Sequence, residues 1–149
     1  MDVTLYDIER NGSLAQADTP VDGVAADTAS SYPAYYEAIG FEKPWIGYLA
    51  RHDSAWVGAC GFKGAPKAGR VEIAYYTFPE FEAQGVATAM ARALVFVAQN
   101  ADPSPIVTAR TLPKEGASTA ILRKLGFTKT GTVPDPDDGN VWEWVLVES

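Results

Sequence analysis

Apolar and polar positions along the chain follow two periods, and their order predicts the fold class. Residues 85–99 place Val86, Met90, Leu94 and Val97 on one stripe and Thr88, Arg92 and Gln99 opposite, the pattern of an amphipathic helix. Residues 116–125 predict a second helix, stopped by Gly126. Residues 32–40 predict a shorter one, with Pro33 in its first turn and Gly40 at its end. Strands are predicted over residues 3–8, 45–50, 55–62, 70–78, 106–110, 128–133 and 141–147. The second and third form a hairpin around the polar turn Arg51-His52-Asp53-Ser54. The last two form another around residues 134–140, with Trp142, Trp144 and Leu146 alternating onto one face. Residues 11–31 are rich in Gly, Ala, Asp, Thr and Ser without periodicity and read as loop. Strands, then helix, strand, helix and hairpin, predict an α+β fold with a mixed central β-sheet flanked by helices.

Composition narrows the partners. With 149 residues and 47% hydrophobic positions the chain supports one packed core, so residues 1–149 read as a single domain. The net charge of −7 disfavours nucleic acid and anionic membrane as partners and tolerates a cationic amine. Cys60 is the only cysteine and His52 the only histidine, which leaves little for a disulfide or a metal centre. No basic segment leads into an apolar run at the amino terminus and no stretch has the length of a membrane span, so a cytoplasmic protein is expected.

Candidate chemistry concentrates between residues 72 and 88. The strand there breaks at Pro79 and enters the long helix through a turn of small residues, Gly85 and Ala87. Such a turn lets backbone N–H groups of Gln84 to Thr88 approach a phosphate, aided by the helix dipole; the same glycine also suits a plain strand-to-helix connection. Strand alternation puts Glu72 with Ala74 and Tyr76, small and aromatic neighbours that would strip water from a carboxylate and raise its pKa toward that of a general base. Alternatively Glu72 pairs with Arg70 or Arg110. Ser118 shares a helix stripe with Ile121, Leu122 and Leu125, and is either a cleft hydroxyl or a helix cap. His52 reads as a solvated turn residue and Cys60 as a small core residue. Tyr32, Tyr35, Tyr36 and Phe41 read as core, with an acceptor pocket as the other use; Trp142 and Trp144 read likewise as core, or as the rim of a cleft.

The run from Glu72 to Thr88, followed by Glu115-Gly116-Ala117-Ser118 and Leu122-Arg123-Lys124-Leu125-Gly126-Phe127, resembles the two ordered signatures of the GNAT family of acyl-CoA-dependent N-acyltransferases. The second is similar to the form found in its ribosomal-protein N-terminal acetyltransferase branch. The resemblance implies transfer of an acetyl group from acetyl-CoA to a primary amine, a protein N-terminus or a small molecule, by direct attack in a ternary complex without a metal. It implies that Tyr76, Thr77, Phe78, Ala83, Gln84, Gly85, Val86, Ala87, Thr88 and Ser118 hold the coenzyme, that Glu72 takes the amine proton, and that Ser118 assists the thiolate. A backbone N–H near Tyr76 or Thr77 would stabilise the oxyanion, and a homodimer is a frequent assembly in such families. Three positions depart from the pattern: Glu82 replaces Gln or Arg, Glu115 replaces Asn, and Leu122 replaces Tyr. They raise the alternative of a non-catalytic acyl-CoA-binding or interaction domain on the same fold.

Overall fold

The computed structural model describes residues 1–14 and 17–146. Its strands are β1 (Thr4–Asp7), β2 (Gly47–His52), β3 (Ala55–Phe62), β4 (Arg70–Thr77), β5 (Ile106–Thr111), β6 (Phe127–Asp135) and β7 (Gly139–Leu146); its α-helices are α1 (Gly23–Ser30), α2 (Tyr32–Ile39), α3 (Val86–Gln99) and α4 (Ala117–Lys124). The strands form one mixed sheet in the order β1-β2-β3-β4-β5-β7-β6. All neighbours run antiparallel except β4 and β5, the pair that needs the α3 crossover.

The α+β expectation holds, with four local corrections. The loop expected over residues 11–31 contains α1, where Ala25 and Ala29, spaced i, i+4, are buried against the sheet side of the helix. Two small residues give too weak a stripe for periodicity to register, and packing rather than propensity supports the turn. Residues 15 and 16 of that stretch lie outside the described residues. The first hairpin turn is shorter than expected: Arg51 and His52 belong to β2, which leaves Asp53 and Ser54 to reverse the chain, Asp53 at φ 53°. Trp45 and Ile46 precede the strand, and Phe78 follows β4 as a fully buried residue. Strand β6 runs through Pro134, which the sheet accepts because β6 is an edge strand. The expected last strand ended at residue 147, outside the described residues.

Helix α3 buries Val86, Ala89, Met90, Ala91, Leu94 and Ala98, so the core stripe is broader than the one expected and Val97 lies at its margin. It packs closely because Gly58 of β3 has no side chain: a Cβ there would come within 2.8 Å of Met90 Cε. On the other face, the Tyr32 ring of α2 rests on Gly47, where a Cβ would meet it at 2.1 Å. Trp144 is fully buried, with the Arg123 guanidinium 5.0 Å above its ring. Tyr36 ties α2 to two strands, its buried hydroxyl donating to Ile8 O at 2.7 Å and accepting from Gly47 N–H at 3.0 Å. Tyr36→Phe leaves both backbone groups unpartnered and is expected to lower stability by about 2 kcal/mol in a urea titration.

Candidate active site

Strands β4 and β5 pair only over Arg70↔Ile106, Val71↔Val107 and Glu72↔Thr108. Beyond that point β4 stays paired with β3 through Thr77, whereas β5 continues beside β7. The sheet therefore splits, and the β5-facing edge of the second half of β4 is open. The register decides which groups face the opening. Lys63 N–H donates to Glu72 O at 2.9 Å and Phe78 N–H to Val57 O at 3.0 Å. By alternation Ala74 and Tyr76 also direct their backbone groups to β3, so Tyr75 and Thr77 direct theirs into the split.

The opening continues into a cleft of about 390 Å³ lined by Tyr75, Tyr76 and Thr77, by Glu82, Ala83 and Gly85 of the turn, by Val86, Ala87 and Thr88 of α3, and by Ala117, Ser118 and Ile121 of α4. Gly85 caps α3 at φ 87°, a left-handed conformation that favours glycine, and a Cβ there would enter open space. No side chain caps this helix, and the first helical bond runs from Ala89 N–H to Gly85 O. The N–H groups of Val86, Ala87 and Thr88 consequently converge on the cleft without helical partners, with the positive end of the dipole behind them. This arrangement accepts an anion such as a pyrophosphate, and the extended edge of β4 accepts an amide-bearing chain as an added strand would.

The cleft gathers eight of the expected coenzyme residues: Tyr76, Thr77, Ala83, Gly85, Val86, Ala87, Thr88 and Ser118. Phe78 and Gln84 are not among them. Phe78 is held in the core with its N–H bonded to Val57, and Gln84 projects from the turn into solvent. Tyr75, Ala117 and Ile121 were not foreseen, since the side-chain pattern put Tyr75 with the core face and only register shows its backbone facing the split.

The cap of α4 falls to another residue than Ser118. Thr119 Oγ1 accepts from Gly116 N–H at 3.0 Å and donates to Glu115 Oε1 at 3.1 Å, leaving Ser118 exposed at the cleft. Glu115 turns away from the cleft to Arg123, which holds its carboxyl below the usual range. Leu122 is fully buried beneath the cleft, so a core residue occupies that position.

Around Glu72 the structure shows the Arg110 pair that the alternative reading expected, and a lysine that it did not. The Glu72 carboxylate, 19% exposed, lies 3.0 Å from Lys63 Nζ and 3.7 Å from Arg110 Nε, and not among small and aromatic neighbours alone. Arg110, and not Arg70, is the guanidinium partner. Arg110 also reaches Asp135 at 3.2 Å and Glu143 at 3.9 Å. The signal for Lys63 lay in the hairpin register, which sets it opposite Glu72. Glu72 is four residues from Tyr76, roughly 13 Å along the strand. Beside Tyr76 is a second hollow, about 120 Å³, lined by Tyr32, Tyr35, Gly47, Ala59, Cys60, Gly61, Phe62, Ala74, Tyr75 and Tyr76, while Glu72 lines a separate one with Lys63 and Arg110. The tyrosine-lined hollow shares Tyr75 and Tyr76 with the cleft, so the two adjoin at these residues of β4. Tyr32 and Tyr35 thus line a pocket, whereas Tyr36 is core. Burial pushes the Tyr75 phenol up to about 12 and raises the Cys60 thiol, keeping both neutral. His52 ends β2 at the surface, its Nδ1 2.8 Å from Asp2 O.

Among the described residues no group of three His, Cys, Asp or Glu side chains is gathered as for a metal ion, and no helix is long and apolar enough to cross a membrane. Comparison with curated proteins gives no significant match. Among solved structures, the ribosomal L7/L12 alpha-N-protein acetyltransferase RimL aligns at a TM-score of 0.67 and 16% identity, over 97% of this chain and 92% of that one. The acetyltransferase yncA of Salmonella typhimurium, described as putative and solved with acetyl-CoA, aligns at 0.63 and 14%, over 100% and 96%. A chimera of the Vibrio cholerae spermidine N-acetyltransferase SpeG aligns at 0.69 and 12%, over 99% and 96%. At these identities the likeness is one of fold. Residues 7–128, most of the chain, match the family model described as an acetyltransferase (GNAT) domain, and the chain belongs to the GNAT acetyltransferase family.

Proposed function

We propose that the protein transfers the acetyl group of acetyl-CoA to a primary amine, by direct attack of the amine on the thioester. The observation that carries this reading is the open β4 edge running into the uncapped N-terminus of α3 at Gly85. The pantetheine arm lies along Tyr75 and Thr77, and the pyrophosphate takes the N–H groups of Val86, Ala87 and Thr88. The coenzyme thus runs from α3 past Thr77 toward the closed end of the split, and the thioester carbonyl sits by Tyr75, whose N–H faces the opening and stabilises the oxyanion; the Tyr76 N–H is turned to β3. The amine nitrogen reaches the carbonyl carbon from the tyrosine-lined hollow. As the C–N bond forms and the C–S bond breaks, the amine proton passes through water to Glu72, and the thiolate takes a proton through the Ser118 hydroxyl. Cys60, buried and neutral, is not placed to carry a covalent acyl-enzyme.

The relatives act on chemically different amines by their names, a ribosomal protein N-terminus and spermidine, so they support amine transfer without selecting an acceptor. The test is calorimetric titration with acetyl-CoA, followed by amine-dependent release of the CoA thiol. Binding with turnover supports the reading; binding without turnover on any amine favours a coenzyme-binding domain. Ser118→Ala is expected to lower kcat about tenfold, or ~1.4 kcal/mol, with acetyl-CoA affinity within twofold of wild type. Unchanged kcat would remove Ser118 from the proton path.

A further inference from the structure

We infer that the acceptor is a compact primary amine with an uncharged substituent, and that Tyr32 seated on Gly47 sets this limit. The inference rests on the cleft beside it being the acetyl-CoA site. The hollow that adjoins the cleft at Tyr75 and Tyr76 has a volume of about 120 Å³. An apolar cavity of about 150 Å³ holds one benzene, so this one takes about five heavy atoms.

Three features fix that size. The floor is made of Gly47, Ala59, Gly61 and Ala74, so the space exists only because those side chains are small. At one end the Tyr32 ring lies directly on the strand, since a Cβ on Gly47 would stand 2.1 Å from its edge. A Cβ on Gly61 would strike Ile46 O at 2.6 Å, so the floor cannot be rebuilt without moving backbone. Tyr32 is in turn braced edge-on by Tyr35 at 5.7 Å and packed against Tyr36 at 5.5 Å between ring centroids. Tyr32, seated on the strand and packed against both neighbours, does not swing aside freely to admit a larger guest.

Polarity limits the guest as firmly as size. No carboxylate lines the hollow. The nearest, Glu72, is next to Tyr35, whose phenol is raised mainly by burial and also by the Glu72 charge, while Lys63 lowers it. Glu72 already has Lys63 and Arg110 as partners, so a second ammonium group entering beside them meets two cations. A polyamine or aminoglycoside held in the hollow would bury a charge with no free anion to receive it, which disfavours its binding. The acidic surplus of the chain, −7, lies outside this hollow and does not change that local balance. What fits is an amine directed at the thioester with a short aliphatic group behind it.

The test uses wild type with isobutylamine, propylamine, spermidine and kanamycin, measuring thiol release, with acetyl-CoA affinity measured separately by calorimetry. Isobutylamine and propylamine are expected to show kcat/KM at least tenfold above spermidine and kanamycin. Ala74→Leu, which fills the hollow without touching the coenzyme cleft, is expected to raise KM for the compact amines at least tenfold while leaving acetyl-CoA affinity within twofold. Tyr32→Ala is expected to admit tryptamine, which wild type refuses. Spermidine or kanamycin turned over more efficiently than the compact amines overturns the inference. So does indifference to Ala74→Leu, or acetyl-CoA binding with no compact amine consumed. Failure to bind acetyl-CoA overturns the reading of the cleft itself.

Discussion

Gly85→Glu is expected to weaken acetyl-CoA binding more than about 100-fold, or ~2.7 kcal/mol, read by calorimetry. Two separable effects produce the loss. A side chain at φ 87° strains the backbone by about 1–2 kcal/mol, which acts on folding. The added carboxylate then projects into open space at the helix N-terminus, where the coenzyme's phosphates would lie, and opposes both the ligand charge and the space it needs. Gly85→Ala carries the strain without the charge. It is expected to share the fall in stability while losing only about tenfold in affinity. Equal affinities for the two variants would mean that phosphate does not sit at α3. Glu82, on the lip of the same cleft, tests the sign of the field: Glu82→Gln is expected to tighten binding about threefold, a modest gain because the group is exposed.

How much of this was legible in the sequence depends on the range of the interaction involved. Helix α3 and its glycine entry came from local periodicity and turn chemistry, which a window of fifteen residues contains. Helix α1 did not, because Ala25 and Ala29 form a buried face only once β3 lies beneath them. The split of β4 from β5 is a fact of register, and register joins residues more than thirty positions apart, such as Glu72 and Thr108. The same holds for the cations around Glu72: alternation along β4 correctly set Glu72 with Ala74 and Tyr76, yet Lys63 and Arg110 arrive from β3's end and from β5. Ser118 was open between cap and cleft, and the choice turned on its neighbour Thr119, whose hydroxyl lies within reach of Gly116 N–H. Leu122, which looked like a missing tyrosine, occupies a fully buried position where an apolar side chain is the physically consistent choice.

Glu72→Gln is expected to lower kcat about 100-fold with acetyl-CoA affinity unchanged, at the lower end of what a positioned proton acceptor contributes. The variant should fold, because Arg110 keeps Asp135 at 3.2 Å and Glu143 at 3.9 Å when the third carboxylate is neutralised. Its stability is expected to fall by only about 1 kcal/mol, since the pairs made by Glu72 are partly solvated. The competing account makes Glu72 a structural tie between β4, the end of β3 and β5. That account is separated by Lys63→Met, which removes the 3.0 Å pair and leaves the carboxylate in place. If Glu72 is only a tie, the two variants lose similar stability and neither loses turnover. If it accepts the amine proton, only Glu72→Gln loses turnover. The distance of roughly 13 Å along the strand from Glu72 to Tyr76 adds a further expectation. Proton transfer over that span passes through water, so the wild-type rate should show a solvent deuterium isotope effect that Glu72→Gln diminishes.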